Sequence, residues 1–202
     1  LRLDLRYPQK KDPQITIPSD EDVAALISAI KGTEMELPVM FAALLGLRRG
    51  EIAALTYDDI DFRAGTVRIS KAMALTESKQ WIVKPPKTNS GNRILPLPAN
   101  ILEVVESRQK AGKPLIALNP DAISNRFERL IKKLDIPHIR YYDLRHYNAS
   151  VMLALNVPDK YAMERMGHRT NHMLKNVYQH TIDKKQQEIA DKINSYMTQN
   201  MP

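Results

Sequence analysis

The chain has 202 residues, 43% of them apolar, a formal net charge of +7 and no cysteine. That length suits one large domain or two small ones with a sizeable core, and the missing cysteine excludes disulfides, thiolate metal sites and cysteine nucleophiles. No apolar run reaches the length of a membrane helix and no signal segment opens the chain; the positive balance fits a polyanionic partner, chiefly nucleic acid, the alternative being a basic protein without that role.

Residues 1–18 are basic, carry three prolines and show no period, so they read as an extended tail or linker. A chain opening on Leu1 rather than Met reads as a piece of something longer. Helical signals begin at "SDEDVAALISAI", where Ser19 is placed to cap, acids fill the first turn, and Val23, Leu26, Ile27 and Ile30 share a face. "ELPVMFAALLGLR" predicts a second, more buried helix, and "GEIAALTYDDID" a short helix followed by a turn. The period then changes. "GTVRIS", "QWIVKPP" and "NRILPLP" are short and β-prone, and they predict a small antiparallel sheet of three strands. Helical patterns return over 99–110, 121–134, 143–155, 159–166, 171–178 and 183–198. The expected fold class is α+β, mainly helical, with that one small sheet at its edge.

Four stretches carry candidate chemistry. In "LLGLRRGEIAALTYDDID", an arginine buried between apolar helices would need a carboxylate or a phosphate; the plainer reading is an Arg48–Glu51 surface pair. In "VKPPKTNSGNRILPLP", Lys87 lies in a polar turn, where a lysine serves solubility or reaches a phosphate as a mobile point charge. In "YYDLRHYNASVMLA", Arg145 and His146 enter an apolar helix beginning near Asp143, either capping it or facing a ligand. In "MGHRTNHMLKNVYQH", His168 and His172 have the i, i+4 spacing of a helical zinc pair. Arg169 stands where a zinc protease needs glutamate, and no further ligand follows at helical spacing, which argues against a metal.

Together these stretches resemble the catalytic domain of the tyrosine recombinases, the phage integrase family, over about Asp20 to His180. "GLRRGEIAAL" looks like the first box, "KTNSGNRILPL" the β-hairpin lysine segment, "YYDLRH" the second box and "MGHRTNHMLKNVYQH" the third. The resemblance implies a catalytic set of Arg48, Lys87, Arg145, His168 and Tyr178, with Tyr178 the nucleophile and Glu51 orienting the arginines. Tyr142 stands where the family usually has histidine, and a phenol is a poor base at neutral pH. Arg49, Lys84, Arg93 and Arg169 are the expected DNA contacts.

The implied reaction is DNA strand exchange through a 3′-phosphotyrosyl link, needing neither cofactor nor metal. The implied partners are double-stranded attachment sites, a homo-oligomer (a tetramer) on DNA, and accessory DNA-bending proteins, in the cytoplasm of a bacterial host. The implied organisation is a linker (1–18) from an N-terminal DNA-binding region, a catalytic domain (19–181) and a helical tail (182–202). Ile189, Ile193, Tyr196 and Met197 form an apolar stripe on that tail, which packs on its own domain or docks on a neighbouring protomer. Two other readings stand beside the integrase: a DNA-binding domain that has lost cleavage through Tyr142, and a type IB topoisomerase. One geometric demand follows. A straight helix would separate His168 from Tyr178 by about 15 Å, so the chain must turn between them for both to reach one phosphate, which the polar, glycine-led "GHRTN" permits.

Overall fold

The computed structural model describes residues 16–86, 91–108, 114–134, 136–167, 194–196 and 199. Helix α1 (Asp20–Ala29) starts as the sequence predicts: Ser19 Oγ accepts from the Asp22 amide, and the Ser19 amide donates to the Asp22 carboxylate. Helix α2 (Glu36–Leu45) is buried along nearly its whole length and forms the centre of the core. It ends at Gly46, whose φ of +65° is a left-handed helix stop. A Cβ there would also stand 2.7 Å from Asn148 Oδ1, so the tight turn before Arg48 requires glycine. Helix α3 (Arg49–Ala54) follows at once, then a 3-10 turn at Tyr57–Asp59.

Five strands follow: β1 (Ile60–Asp61), β2 (Thr66–Ile69), β3 (Ala72–Leu75), β4 (Trp81–Lys84) and β5 (Arg93–Pro96). The small three-stranded antiparallel sheet expected from the sequence is present, with β1 rather than β4 as its third strand. β2 pairs antiparallel with both β1 and β5, and β3 with β4 forms a separate antiparallel ladder. The three segments predicted as strands are all present, but β4 has a different partner. That partner, "AMAL", lacks both β-branched residues and a polar alternation, so its strand character comes from β4 and from packing beside α3 rather than from propensity.

Helices α4 (Ala99–Ser107), α5 (Pro120–Ile131), α6 (Asp143–Ala154) and α7 (Asp159–Met166) complete the described fold, each within a few residues of the predicted span. Helix α6 packs on α2, with Asn148 Nδ2 donating to Ala43 O at 3.0 Å. Tyr141, just before α6, is buried: its hydroxyl donates to Pro38 O at 2.6 Å and its ring meets Phe127 edge-on. Burial raises its pKa, so this phenol is a fixed donor. A smaller apolar cluster of Ala149, Met152, Ala162 and Met166 seats α7 on α6. Among the described residues, no helix is long and apolar enough to cross a membrane. Almost all of the linker and of the C-terminal tail, and the predicted helix at 171–178, lie outside the described residues.

Candidate active site

The site is assembled where α2, α3, β5, α6 and α7 meet, and Glu51 organises it. Its carboxylate is buried, with 7% of the side chain exposed, and four donors reach it. The Arg48 amide donates to Oε2 and Arg48 Nη1 to Oε1, both at 2.8 Å. Arg93 adds Nη2 to Oε2 at 2.9 Å and Nη1 to Oε1 at 3.2 Å. Burial alone would raise the Glu51 pKa, but the hydrogen bonds and charges of Arg93, then of Arg48, bring it below the ordinary carboxylate value. The carboxylate is therefore ionised at neutral pH.

The end of α7 is the second organiser. Gly167 has a φ of +63°, which stops the helix and turns the chain one residue before His168. Three consecutive carbonyls at this end are each taken by a different arginine. Arg93 Nε donates to Arg165 O at 2.8 Å, Arg145 Nη2 to Met166 O at 2.6 Å, and Arg48 Nη2 to Gly167 O at 2.7 Å. Terminal carbonyls have no partner within the helix and carry the negative end of its dipole, so cations satisfy them well. Arg145 also donates to Gly46 O, joining the stops of α2 and α7. Three guanidinium charges against one carboxylate leave the cluster positive, as an anion-binding centre requires.

The cluster is open on one member. The Arg48 side chain is 38% exposed and lines two cavities. One, of about 610 Å³, is walled by Arg49, Ser124, His138, Arg140 and Tyr142 among others. The other, of about 350 Å³, is bordered by Lys71, Pro86, Gly91 and Gly167. Arg145 lies behind Arg48 and is only 1% exposed. Burial, then the charge of Arg48, lowers its pKa to about 10 against the opposing effect of Glu51, so it remains a cation at neutral pH.

The structure brings Arg48, Glu51 and Arg145 together in one cluster. Tyr142 is near them, 46% exposed at the start of α6 and edge-on to His146. Arg49 is half-exposed, bonded to Ser124 Oγ at 2.8 Å on the wall of the larger cavity, and Lys84 is exposed on β4. Arg93 departs from its expected place. Predicted to face DNA, it is turned inward with 4% of its side chain exposed, because alternation along β5 directs it to Glu51. Lys87, His168, Arg169 and Tyr178 lie outside the described residues. The sequence reading missed His138, Arg140 and Lys71. The first two stand in "PHIR", just ahead of the second box "YYDLRH". Lys71 is held by Asp59 at 2.7 Å and carried no signal of its own.

With this geometry in view, residues 19–185 match the model of the phage integrase family. The chain belongs to that family. Among relatives, a XerC-like tyrosine recombinase of Caldanaerobacter subterraneus subsp. tengcongensis is 23% identical over 217 residues, covering 92% of this chain and 56% of the relative. The fold is that of solved family members. The Tn1549 transposon integrase in complex with transposon right-end DNA superposes with a TM-score of 0.73 at 20% identity, over 91% of this chain and 68% of that one. A λ integrase tetramer bound to a Holliday junction gives 0.57 at 17% identity, over 83% and 49%. The chain spans about half the length of the curated relatives it matches.

Proposed function

We propose that this chain is the catalytic part of a site-specific DNA recombinase, an integrase of a phage or other mobile element. One observation carries the reading. Arg48 and Arg145, far apart in sequence, converge on the carbonyls of Gly167 and Met166, the first two residues of the family box that holds His168 and Tyr178.

In this reading the Tyr178 hydroxyl gives up its proton to water or a neighbouring base, and its oxygen attacks a backbone phosphorus. The bond from phosphorus to the 5′ oxygen breaks, leaving a 3′-phosphotyrosyl link and a 5′-hydroxyl. Lys87 supplies the proton that the departing oxygen takes up, a general-acid role. The link conserves the bond's free energy, so rejoining is the same step reversed with a new 5′-hydroxyl. Arg48, the open member of the cluster, contacts the non-bridging oxygens through its planar fork, and Arg145 supplies a second fixed positive charge at close range. Glu51 keeps Arg48 in place. Tyr142 donates a hydrogen bond to a phosphate oxygen where the family usually has histidine. Arg49, Lys84 and Arg169 contact the DNA backbone, and His168 supports the phosphate or the tyrosine.

The partners are double-stranded attachment sites and other copies of the chain, assembled on DNA as a tetramer, with DNA-bending proteins assisting. The tail over 182–202 docks on a neighbouring protomer, and the reaction takes place on DNA in the bacterial cytoplasm. The test uses duplexes drawn from any repeats found in the DNA flanking the gene, nicked at successive positions so that cleavage traps the covalent product. A protein–DNA band on a denaturing gel, lost in Tyr178→Phe, is the expected result. Wild-type protein that binds these duplexes yet forms no such band would leave a binding domain only; relaxation of plasmid without sequence preference would point to a topoisomerase.

A further inference from the structure

We propose that Arg93 is a positioning residue for strand cleavage: from inside the protein it holds the end of α7, the segment that leads in sequence to His168 and Tyr178, in register with Arg48. The inference rests on the recombinase reading for its chemistry, but not for its structural half.

Arg93 keeps only 4% of its side chain exposed and borders neither of the two cavities described above. Its bonds run elsewhere. Two go to Glu51, the carboxylate that also holds Arg48, and one goes to Arg165 O at the end of α7. A fourth goes to Gly91 O, two residues away on its own strand approach. One rigid, planar group therefore spans α3, β5 and α7. A guanidinium has donors in fixed directions, so pairing both carboxylate oxygens through Nη1 and Nη2 fixes where Nε points, and Nε points at Arg165 O. Lysine would keep the charge but not this geometry. A buried arginine is costly unless all its partners are in place, which makes the arrangement a single register rather than one of several.

The consequence is kinetic. Displacing reacting groups by about 1 Å can cost about 100-fold in rate, even when the change lies away from the chemistry. Loss of Arg93 is therefore expected to lower the rate of cleavage in bound DNA, while DNA affinity, which depends on exposed cations, stays nearly constant.

The experiment compares the wild-type full chain with Arg93→Lys and Arg93→Met, using the nicked repeat-bearing duplexes at saturating protein and a temperature well below each variant's melting point. Both variants should cleave roughly 100-fold more slowly in a single turnover, with affinity within about threefold. A second substrate carries sulfur in place of the 5′ bridging oxygen, a leaving group that needs no proton. The defect should persist on it, since Arg93 is assigned to the α7 side and not to the leaving-group side. A third measurement is independent of activity: amide exchange at Met166 and Gly167 should quicken in both variants, while that of α1 is unchanged. Full rescue by lysine, a defect that disappears on the sulfur substrate, equal losses in binding and cleavage, or unchanged exchange at the end of α7 would each overturn the proposal. Quickened exchange in a chain whose wild type forms no covalent product would leave the α7 contact standing and refute the recombinase reading instead.

Discussion

Arg48 and Arg93 grip the same carboxylate, and they differ in almost everything else. Arg48 keeps 38% of its side chain in solvent and borders two cavities; Arg93 keeps 4% and borders neither. Both also donate to the end of α7, at Gly167 O and Arg165 O. The difference teaches that a positive cluster has a working face and a supporting face, and that residue type does not tell them apart. Exposure does, because only a partly free guanidinium can exchange its partners for an incoming anion without breaking the fold.

The largest expected effect falls on the working face. Arg48→Ala should lower covalent-complex formation by about 1000-fold, the upper range for one donor to a charged transition state. Melting temperature and DNA affinity should change little, since half-exposed ion pairs contribute weakly to stability. If affinity and cleavage fall by the same factor, Arg48 is a DNA-binding residue and the two faces are not functionally distinct.

The next effect belongs to the supporting face and is read as stability. Glu51→Gln leaves Arg93 buried beside a neutral amide, and breaking a buried pair in this way costs about 3 kcal/mol. Urea unfolding at pH 7 measures it, and a change under about 1 kcal/mol would show that the inner pair is no better than a surface one. The same pair gives a pH dependence. The Glu51 carboxyl lies below its ordinary 4.5 in the folded chain. Its contribution is therefore complete above that value and lost as pH falls through the lower folded one. The stability gap between wild type and Glu51→Gln should hold steady from pH 7 to 5 and narrow only below about 4.5. A gap that narrows from pH 7 downward would contradict the assignment.

Much of this arrangement was legible beforehand, and what was not has a physical reason. Helix spans followed from periodicity and caps, as at Ser19. The nearness of Arg48 to Glu51 followed from helical spacing. The pairing of β4 with "AMAL" did not, because tertiary packing rather than propensity makes that strand. The placement of Arg93 also escaped, since a basic residue after a polar turn suggests an exposed DNA contact. Its partner, Glu51, is distant in sequence. Strand alternation in "RILP", with Arg93 and Leu95 on one side, was the available clue, and it carried less weight than charge. The three carbonyls at the end of α7 were likewise invisible, because backbone acceptors leave no mark on residue identity.

The smallest effect is expected at Tyr142, where neighbouring phenols repeat the inside-and-outside contrast. Tyr141 is buried and bonded to Pro38 O, whereas Tyr142 stands 46% exposed at the larger cavity. Tyr142→His should change stability by no more than about 0.5 kcal/mol, as surface substitutions do. Cleavage should stay within about tenfold of wild type or rise, because an imidazole retains a donor for the phosphate and adds a base poised near neutrality. The pH–rate profile should gain one inflection beyond those of the wild type, near 6.5, the ordinary value for histidine. A loss of about 100-fold or more would instead mean that the phenol takes part in proton transfer or holds the phosphate in a way imidazole cannot copy. In that case the working face would extend from Arg48 across the cavity to α6, and exposure alone would have understated its reach.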